Sequence, residues 1–318
     1  QIINNAKEEY LEKILELKKI LKSKSSAWKA SPFLSRTHGQ AASPSTFGKE
    51  ITVFLSRLDN EIKTLKSIKV KGKWGGATGN FHTLVLIDEK KNWINFIKGF
   101  FKFIKTPLNT LTTQIEPHDC IAELSHSIVR INNVLIDMNR DIWMYISNDL
   151  FKLKVIKGEV GSSTMPHKVN PIDFENSEGN LELSNALFTF FGDKLSKSRL
   201  QRDLSDSTVL RNIGVPFGHS YLAIQSLIKG FSKLEVNKEQ SLKELNNNWQ
   251  ILGEAIQTVM KLEGYDDAYE IIKDLTRGEL LTEYSYKSLI NSLDISIKSK
   301  SKLLKLTPAT YIGLSKSI

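Results

Sequence analysis

Between residues 120 and 149 the apolar side chains Ile121, Leu124, Ile128, Ile131, Leu135, Met138, Ile142 and Tyr145 recur at alternating spacings of three and four without a miss. That period places every one of them on a single stripe of one long α-helix. A stripe of this length resembles a coiled-coil seam and needs partner helices along its whole extent to leave water. The chain is therefore expected to be all-α, built around a bundle of long helices.

The flanking sequence supplies the partners. Tyr10, Ile14, Leu17 and Leu21 mark a helix over 5–22, ended by Ser31-Pro32. Phe47, Ile51, Phe54, Leu58, Ile62 and Leu65 mark a second, from about Thr46. Residues 88–105 read as helical, with Trp93, Ile94, Ile97, Phe100, Phe101 and Ile104. Further helices are expected from about Phe174 to Leu195, and from Asp206 past Phe231 with a break or bend near Gly214–Gly218. Residues 239–262, 266–275 and 283–305 add shorter ones. The glycine-rich stretch 69–80 and the stretch 106–119, with two prolines, are connections. Almost nothing reads as strand. Long helices give way to short ones near residue 240, so a bundle domain over 1–240 and a smaller helical domain over 241–318 are expected. Seams of this kind often pair across subunits, which makes an oligomer an expectation of the pattern.

Composition narrows the class. Of the 318 residues, 40% are hydrophobic and 25% charged, which excludes a disordered chain. Cys120 is the single cysteine, so no disulfide framework forms within one chain and a reducing, cytoplasmic compartment is expected. No apolar run reaches the length of a membrane span and no signal-peptide pattern opens the chain, so no membrane partner is expected. The net charge of +9 fits a nucleic-acid binder or a lysine-rich solvated surface, as at 61–73 and 296–305; it would also favour an anionic substrate. The solvated surface is the preferred reading, and no nucleic-acid partner is expected.

Three constellations carry chemistry. The first is Gly158–Asn180, GEVGSSTMPHKVNPIDFENSEGN, a Gly/Ser/Pro-rich loop between two periodic helices. Ser162 follows Gly161, and a nearby Lys168 and main-chain N–H groups could stabilise its alkoxide; Lys168 and Asn170 could instead bind a carboxylate, and the same residues would suit an ordinary surface loop. The second is Arg36-Thr37-His38-Gly39-Gln40, where His38 is either a general acid–base group or an exposed loop histidine. The third is 197–212, KSRLQRDLSDSTVLRN, in which Arg199, Arg202 and Arg211 surround Ser205, Asp206 and Ser207. The Ser-Asp-Ser cluster reads as an N-cap, and free N–H groups with arginines would hold an anion; a capped helix with surface arginines is the alternative. His118 and His126 near Cys120 match no zinc spacing, and GGATGN at 75–80 lacks the strand a dinucleotide site needs, so neither metal nor cofactor is expected.

Gly161–Pro171, GSSTMPHKVNP, resembles in full the signature loop of the fumarase/aspartase lyase superfamily, GSSxMPxKxNP. SRTHGQ at 35–40 is similar to the superfamily segment that carries its second catalytic group. TTQIEPHD at 112–119 and QRDLSDSTVLRN at 201–212 resemble the adenylosuccinate lyases within it, and MPHKVNPIDFENSEGN the branch found in enteric bacteria and some parasites. The resemblance runs from about residue 31 to about 313.

It implies a long-helix bundle of the fumarase/aspartase type with a smaller C-terminal helical domain. It also implies a β-elimination that releases fumarate from adenylosuccinate, giving AMP, and from the succinylated aminoimidazole carboxamide ribotide. Ser162 would be the general base and His38 the general acid. Lys168 and Asn170 would hold the succinyl carboxylates and steady the carbanion-like intermediate, Val169 would bind substrate, and Ser163, Gln114 and Asn176 would position it. Arg202, Ser207, Thr208 and Arg211 would grip the phosphate, with Arg199 near them. The resemblance further implies a homotetramer with shared active sites, and an N-terminal domain carrying another histidine and a Thr-Ser pair upstream of Gln1. Without those groups the polypeptide is expected to show little or no lyase activity. Two other outcomes are a different superfamily lyase, such as argininosuccinate lyase, and a non-catalytic helical scaffold.

Overall fold

The computed structural model describes residues 1–155, 169–276 and 281–318. Their Cα positions divide into two compact units. One holds Gln1–Ile20, Phe54–Trp143 and 169–233; the other holds Leu21–Val53, 144–155 and the described residues from Leu234 to Ile318.

The first unit is helical. It draws on α1 (Ile2–Trp28), α2 (Phe47–Ser67), α3 (His82–Ile87), α4 (Trp93–Phe103), α5 (Asp119–Ser147), α6 (Ile172–Leu195), α7 (Ser205–Leu210) and α8 (Gly214–Lys233). The seam of α5 is buried as its period demands: Leu124, Ile128, Ile131, Leu135, Met138 and Ile142 are all within 1% of fully buried. Polar residues interrupt this apolar interior at matched places. Asn132 of α5 accepts from Tyr10 Oη of α1 at 3.0 Å, and its amide donates to Asn185 Oδ1 and Ser220 Oγ, each at 3.0 Å. Ser184 Oγ lies 2.7 Å from Ser220 Oγ and donates to the Pro216 carbonyl at 2.9 Å. Helices α1, α5, α6 and α8 are thus joined by buried side chains that satisfy one another, as low-dielectric burial requires. Nearer the start of α6, Asn139 donates to Ser177 Oγ at 3.0 Å, and the buried Asp173 is ion-paired with Lys233 and Lys229 of α8.

The second unit contains short antiparallel pairs. β1 (Pro32–Phe33) pairs with β4 (Ser45–Thr46), β2 (Arg36–Thr37) with β3 (Gln40–Ala41), and β5 (Phe151–Leu153) with β6 (Leu234–Val236). Phe33 and Phe47 stack at 4.4 Å between ring centroids, and Phe151 packs on Phe47 at 4.7 Å and on Trp28 at 5.1 Å. The C-terminal helices α9 (Lys238–Asn246), α10 (Gly253–Leu262), α11 (Ala268–Thr276), α12 (Glu283–Ser292) and α13 (Ile297–Leu304) follow, with a 3-10 turn at Trp249–Leu252. Leu252, Ile256, Met260, Tyr286, Ile290 and Leu303 form a core of their own there. Tyr286 donates its hydroxyl to the Leu303 carbonyl at 2.9 Å, and burial pushes its pKa up to about 12.

Several expectations shift. The first helix extends to Trp28 because nothing breaks it before Ser31-Pro32. The 88–105 helix begins only at Trp93, since Asp88 accepts from Lys90 N and Asn92 caps through Asn95 N at 3.0 Å. Helix α3 has no buried residue, so it carries no apolar period to read. The 239–262 helix is divided by Asn247, Asn248 and the 3-10 turn. The strands have two or three residues each, too few to show alternation.

Candidate active site

His38 sits at the tip of the β2–β3 hairpin. Thr37 pairs with Gln40, leaving His38 and Gly39 as a two-residue loop with φ of 52° and 75°. Positive φ at both positions is the I′ turn that matches strand twist, and Gly39 meets that demand without strain. The hairpin is braced from below: Arg36 donates to the Gly39 carbonyl at 3.3 Å and forms an ion pair with Glu244. The His38 ring is exposed and has no hydrogen bond among the described residues. Its nitrogens are open to a ligand.

The other candidate residues belong to the first unit or lie outside the described residues. Ser162, Ser163 and Lys168 are in the latter group, as are the glycines at 158 and 161. Val169 is exposed and Asn170 half-buried just before Pro171, whose carbonyl accepts from Phe174 N at 3.0 Å to open α6. Asn176 is exposed on the second turn of α6. Its carbonyl and side-chain oxygens accept from Asn180 Nδ2 at 2.9 and 2.5 Å, and Asn180 Oδ1 faces His219 Nδ1 at 2.9 Å.

The clearest assembly joins three loops. Gln114 donates its N–H to the Gln201 carbonyl at 3.2 Å, which brings the 109–118 loop to the arginine-rich 198–204 loop. The glycine-rich connection joins from the other side. Gly72 N–H donates to the Pro107 carbonyl at 2.9 Å and Asn109 N–H donates back to Gly72 O at 2.8 Å. Gly79 has φ of 82°, and a Cβ there would lie 1.8 Å from the Thr112 carbonyl oxygen, so only glycine allows this approach.

Within this assembly Asp203 orders Arg199. Its carboxylate accepts from Ser205 N at 2.7 Å, from Arg199 N at 3.0 Å and from Arg199 Nη1 at 3.2 Å. These contacts, led by Ser205 and followed by Arg199, hold its pKa down at about 2. The expected Ser-Asp-Ser cap is corrected here: Ser205, Asp206 and Ser207 are inside α7, and Asp203 supplies the acceptor for its first N–H. Ser205 is the first helical residue, so its N–H can be capped only by a residue before it, and Asp203 is that residue. Helix α7 is a turn and a half long, so the positive charge of the region comes from side chains. Arg202 Nη2 is 3.9 Å from the buried Asp206, while the exposed Arg211 guanidinium has no carboxylate partner among the described residues. Ser207 is half-buried and Thr208 exposed beside them.

Lys73 also lies near this assembly, and motif spacing does not mark it. Its ammonium donates to the Gly76 carbonyl at 2.7 Å, and its pKa is lowered first by burial and then by the charge of Arg202. The glycine density around it was the available signal, because backbone without side chains marks a place of close approach. The structure does not cluster His118 and His126 as ligands: His126 packs its ring on Gly192, and the described residues hold no group of three or more His, Cys, Asp and Glu fit for a metal.

The helical fold is shared with enzymes of known structure. A fumarate lyase from Mesorhizobium sp. BNC1 superposes with TM-score 0.78 over 99% of this chain and 72% of its own, at 16% identity. The 3-carboxy-cis,cis-muconate lactonizing enzyme of Pseudomonas putida gives 0.76 over 99% and 71%, at 19% identity. The family model described as Lyase matches residues 2–183, and the model described as Adenylosuccinate lyase C-terminal matches 198–312. The adenylosuccinate lyase of Legionella pneumophila (strain Corby) is 52% identical over 89% of this chain and 62% of its own length; that of Escherichia coli (strain K12) is 50% identical over the same shares. The adenylosuccinate lyase of Buchnera aphidicola subsp. Schizaphis graminum is 48% identical over 100% of this chain and 70% of its own. The chain belongs to the adenylosuccinate lyase family, and it spans 62% of the length of the Legionella and Escherichia relatives. No helix among the described residues is long and apolar enough to cross a membrane.

Proposed function

We propose that the protein catalyses the β-elimination of fumarate from adenylosuccinate, leaving AMP, and from the succinylated aminoimidazole carboxamide ribotide of purine synthesis. The observation that carries this reading is its identity of about one half to curated adenylosuccinate lyases across the chain that holds all three constellations.

The chemistry follows from residue types. Ser162 takes a proton from the succinyl Cβ, the Cα–N bond breaks, fumarate departs, and His38 returns a proton to the leaving nitrogen. The proton removed is weakly acidic, so the carbanion-like intermediate needs electrostatic stabilisation. Lys168 and Asn170, with Val169 between them, hold the carboxylates on which that charge delocalises. Ser163, Gln114 and Asn176 orient the substrate. Arg202, Ser207, Thr208 and Arg211 take the phosphate, and the Arg211 guanidinium, which has no carboxylate partner among the described residues, supports this role. His38 is available for proton transfer because nothing among the described residues occupies its nitrogens.

The assembly we propose is a homotetramer with shared active sites in a cytoplasmic compartment. Its support is the outer face of α6, where Ile172, Leu183 and Phe190 are each 50% exposed on one side of a long helix. Sequence divides into a bundle domain, 1–240, and a C-terminal helical domain, 241–318, whose separate core supports the division.

The test is fumarate release by the full-length protein. Ser162→Ala and His38→Ala should each retain adenylosuccinate binding and lose turnover. Turnover at the parent rate in Ser162→Ala overturns that residue as base. An unchanged KM after replacement of both Arg202 and Arg211 favours another superfamily lyase, such as argininosuccinate lyase. Binding of adenylosuccinate without turnover by the parent protein would indicate a scaffold.

A further inference from the structure

We infer that Glu116 is a positioning residue for the active site, acting through Gln114; this rests on the proposed role of Gln114 as a substrate contact. Glu116 is only 8% exposed, and its carboxylate is used on both sides. Oε1 accepts from Asn109 Nδ2 at 3.0 Å, at the start of the loop. Oε2 accepts from His118 N at 2.8 Å and faces Cys120 Sγ at 3.7 Å, at the loop's junction with α5. One buried carboxylate therefore clasps both ends of the segment that presents Gln114. Asn109 is itself oriented, since its Oδ1 accepts from Leu111 N at 3.2 Å. His118 at this junction adopts φ of 65°, an uncommon conformation for a residue other than glycine, and the Glu116 bond to its N–H helps to hold it.

The geometry also separates Glu116 from a merely buried acid. A carboxylate is acceptor-only, and each Glu116 oxygen meets a donor. In Glu116→Gln the same shape would turn an NH2 group toward Asn109 Nδ2 or His118 N. Asn109 can flip to accept it only by releasing Leu111 N. Adding Asn109→Asp repairs this. One oxygen of the new carboxylate accepts from Leu111 N and the other from the introduced NH2 group, while the introduced amide's own oxygen keeps His118 N.

The test measures kcat and KM of the full-length protein with Gln114→Ala, Glu116→Gln, the double variant of both, and Asn109→Asp/Glu116→Gln, alongside hydrogen exchange at Gln114 N. Glu116→Gln should speed that exchange and lower kcat roughly tenfold or more, the range expected when a contact residue is displaced by a fraction of an ångström. The loss should vanish in the Gln114→Ala background, and Asn109→Asp should restore both rate and protection. If the Gln114 and Glu116 losses multiply independently, or if Asn109→Asp restores nothing, the inference fails while the reading of the site stands. If Gln114→Ala alone leaves kcat and KM unchanged, the role of Gln114 falls and takes this inference with it.

Discussion

Gln114 and Gln201 are joined by a main-chain hydrogen bond of 3.2 Å, and through it a loop that precedes α5 and a loop that precedes α7 become one surface. The bond fixes the Gln114 backbone against the arginine-rich 198–204 loop. It also lets changes in either loop be felt by the other.

Arg202 and Arg211 differ in their present partners, so their replacement should differ in effect. Arg211→Ala removes a guanidinium with no carboxylate partner among the described residues and is expected to raise KM for the nucleotide about ten- to hundredfold, the value of one or two charge-assisted hydrogen bonds, with little change in Tm. Arg202→Ala should raise KM similarly but also lower Tm, because it leaves the buried Asp206 without its cation. Steady-state kinetics paired with thermal melts would show the split.

Asp203 links the arginine loop to pH. Its pKa falls from an ordinary 3.8 to about 2 on folding, so its contribution to stability is complete above about pH 4 and is lost as pH drops toward 2. Asp203→Asn should flatten the acid limb of a stability–pH profile in that window and loosen Arg199 at neutral pH. An unaltered acid limb in the variant would contradict this.

The Asn132 cluster is expected to dominate any polar-to-apolar scan of the bundle. Asn132→Ala strands Tyr10 Oη and removes partners of Asn185 and Ser220, at a cost of about 2–4 kcal/mol. Denaturant melts measure it directly. Tyr10→Phe, which removes a donor and leaves Asn132 with its other donor, Ser220, should cost less, on the order of 1 kcal/mol.

Two glycines should respond in opposite directions. Gly79→Ala forces a left-handed conformation on an L-residue, at about 1–2 kcal/mol, and drives a methyl into the Thr112 carbonyl. It should lower Tm and also displace the Gln114 loop, raising KM. Gly99 lies inside α4 with open space around its Cβ position, and Gly99→Ala should stabilise by about 0.5–1 kcal/mol with unchanged kinetics.

The long helices were legible because their burial is periodic. Tyr10, Ile14, Leu17 and Leu21 in α1, and Phe47, Ile51, Leu58 and Leu65 in α2, are buried at the positions the pattern marks. Helix α3 was not legible, as it buries nothing, and the I′ turn at His38-Gly39 is a backbone property that residue types alone only hint at. Lys73 has no motif around it, and the segments that hold Glu116 and Asp203 do not show what those carboxylates bind. Each acts through a partner distant in space or through a carboxylate geometry that spacing does not encode.

Sequence by itself determined the helical class and the seam of α5, because hydrophobic period is a local, linear signal, and the Gly161–Pro171 motif carried the resemblance in the same linear way. Tertiary structure alone decided which loops meet. Gln114 reaches Gln201 because Gly79 lets the backbone close on Thr112 and Glu116 clasps the loop between them. Such contacts depend on where folded elements bring chain segments, and no local period records that.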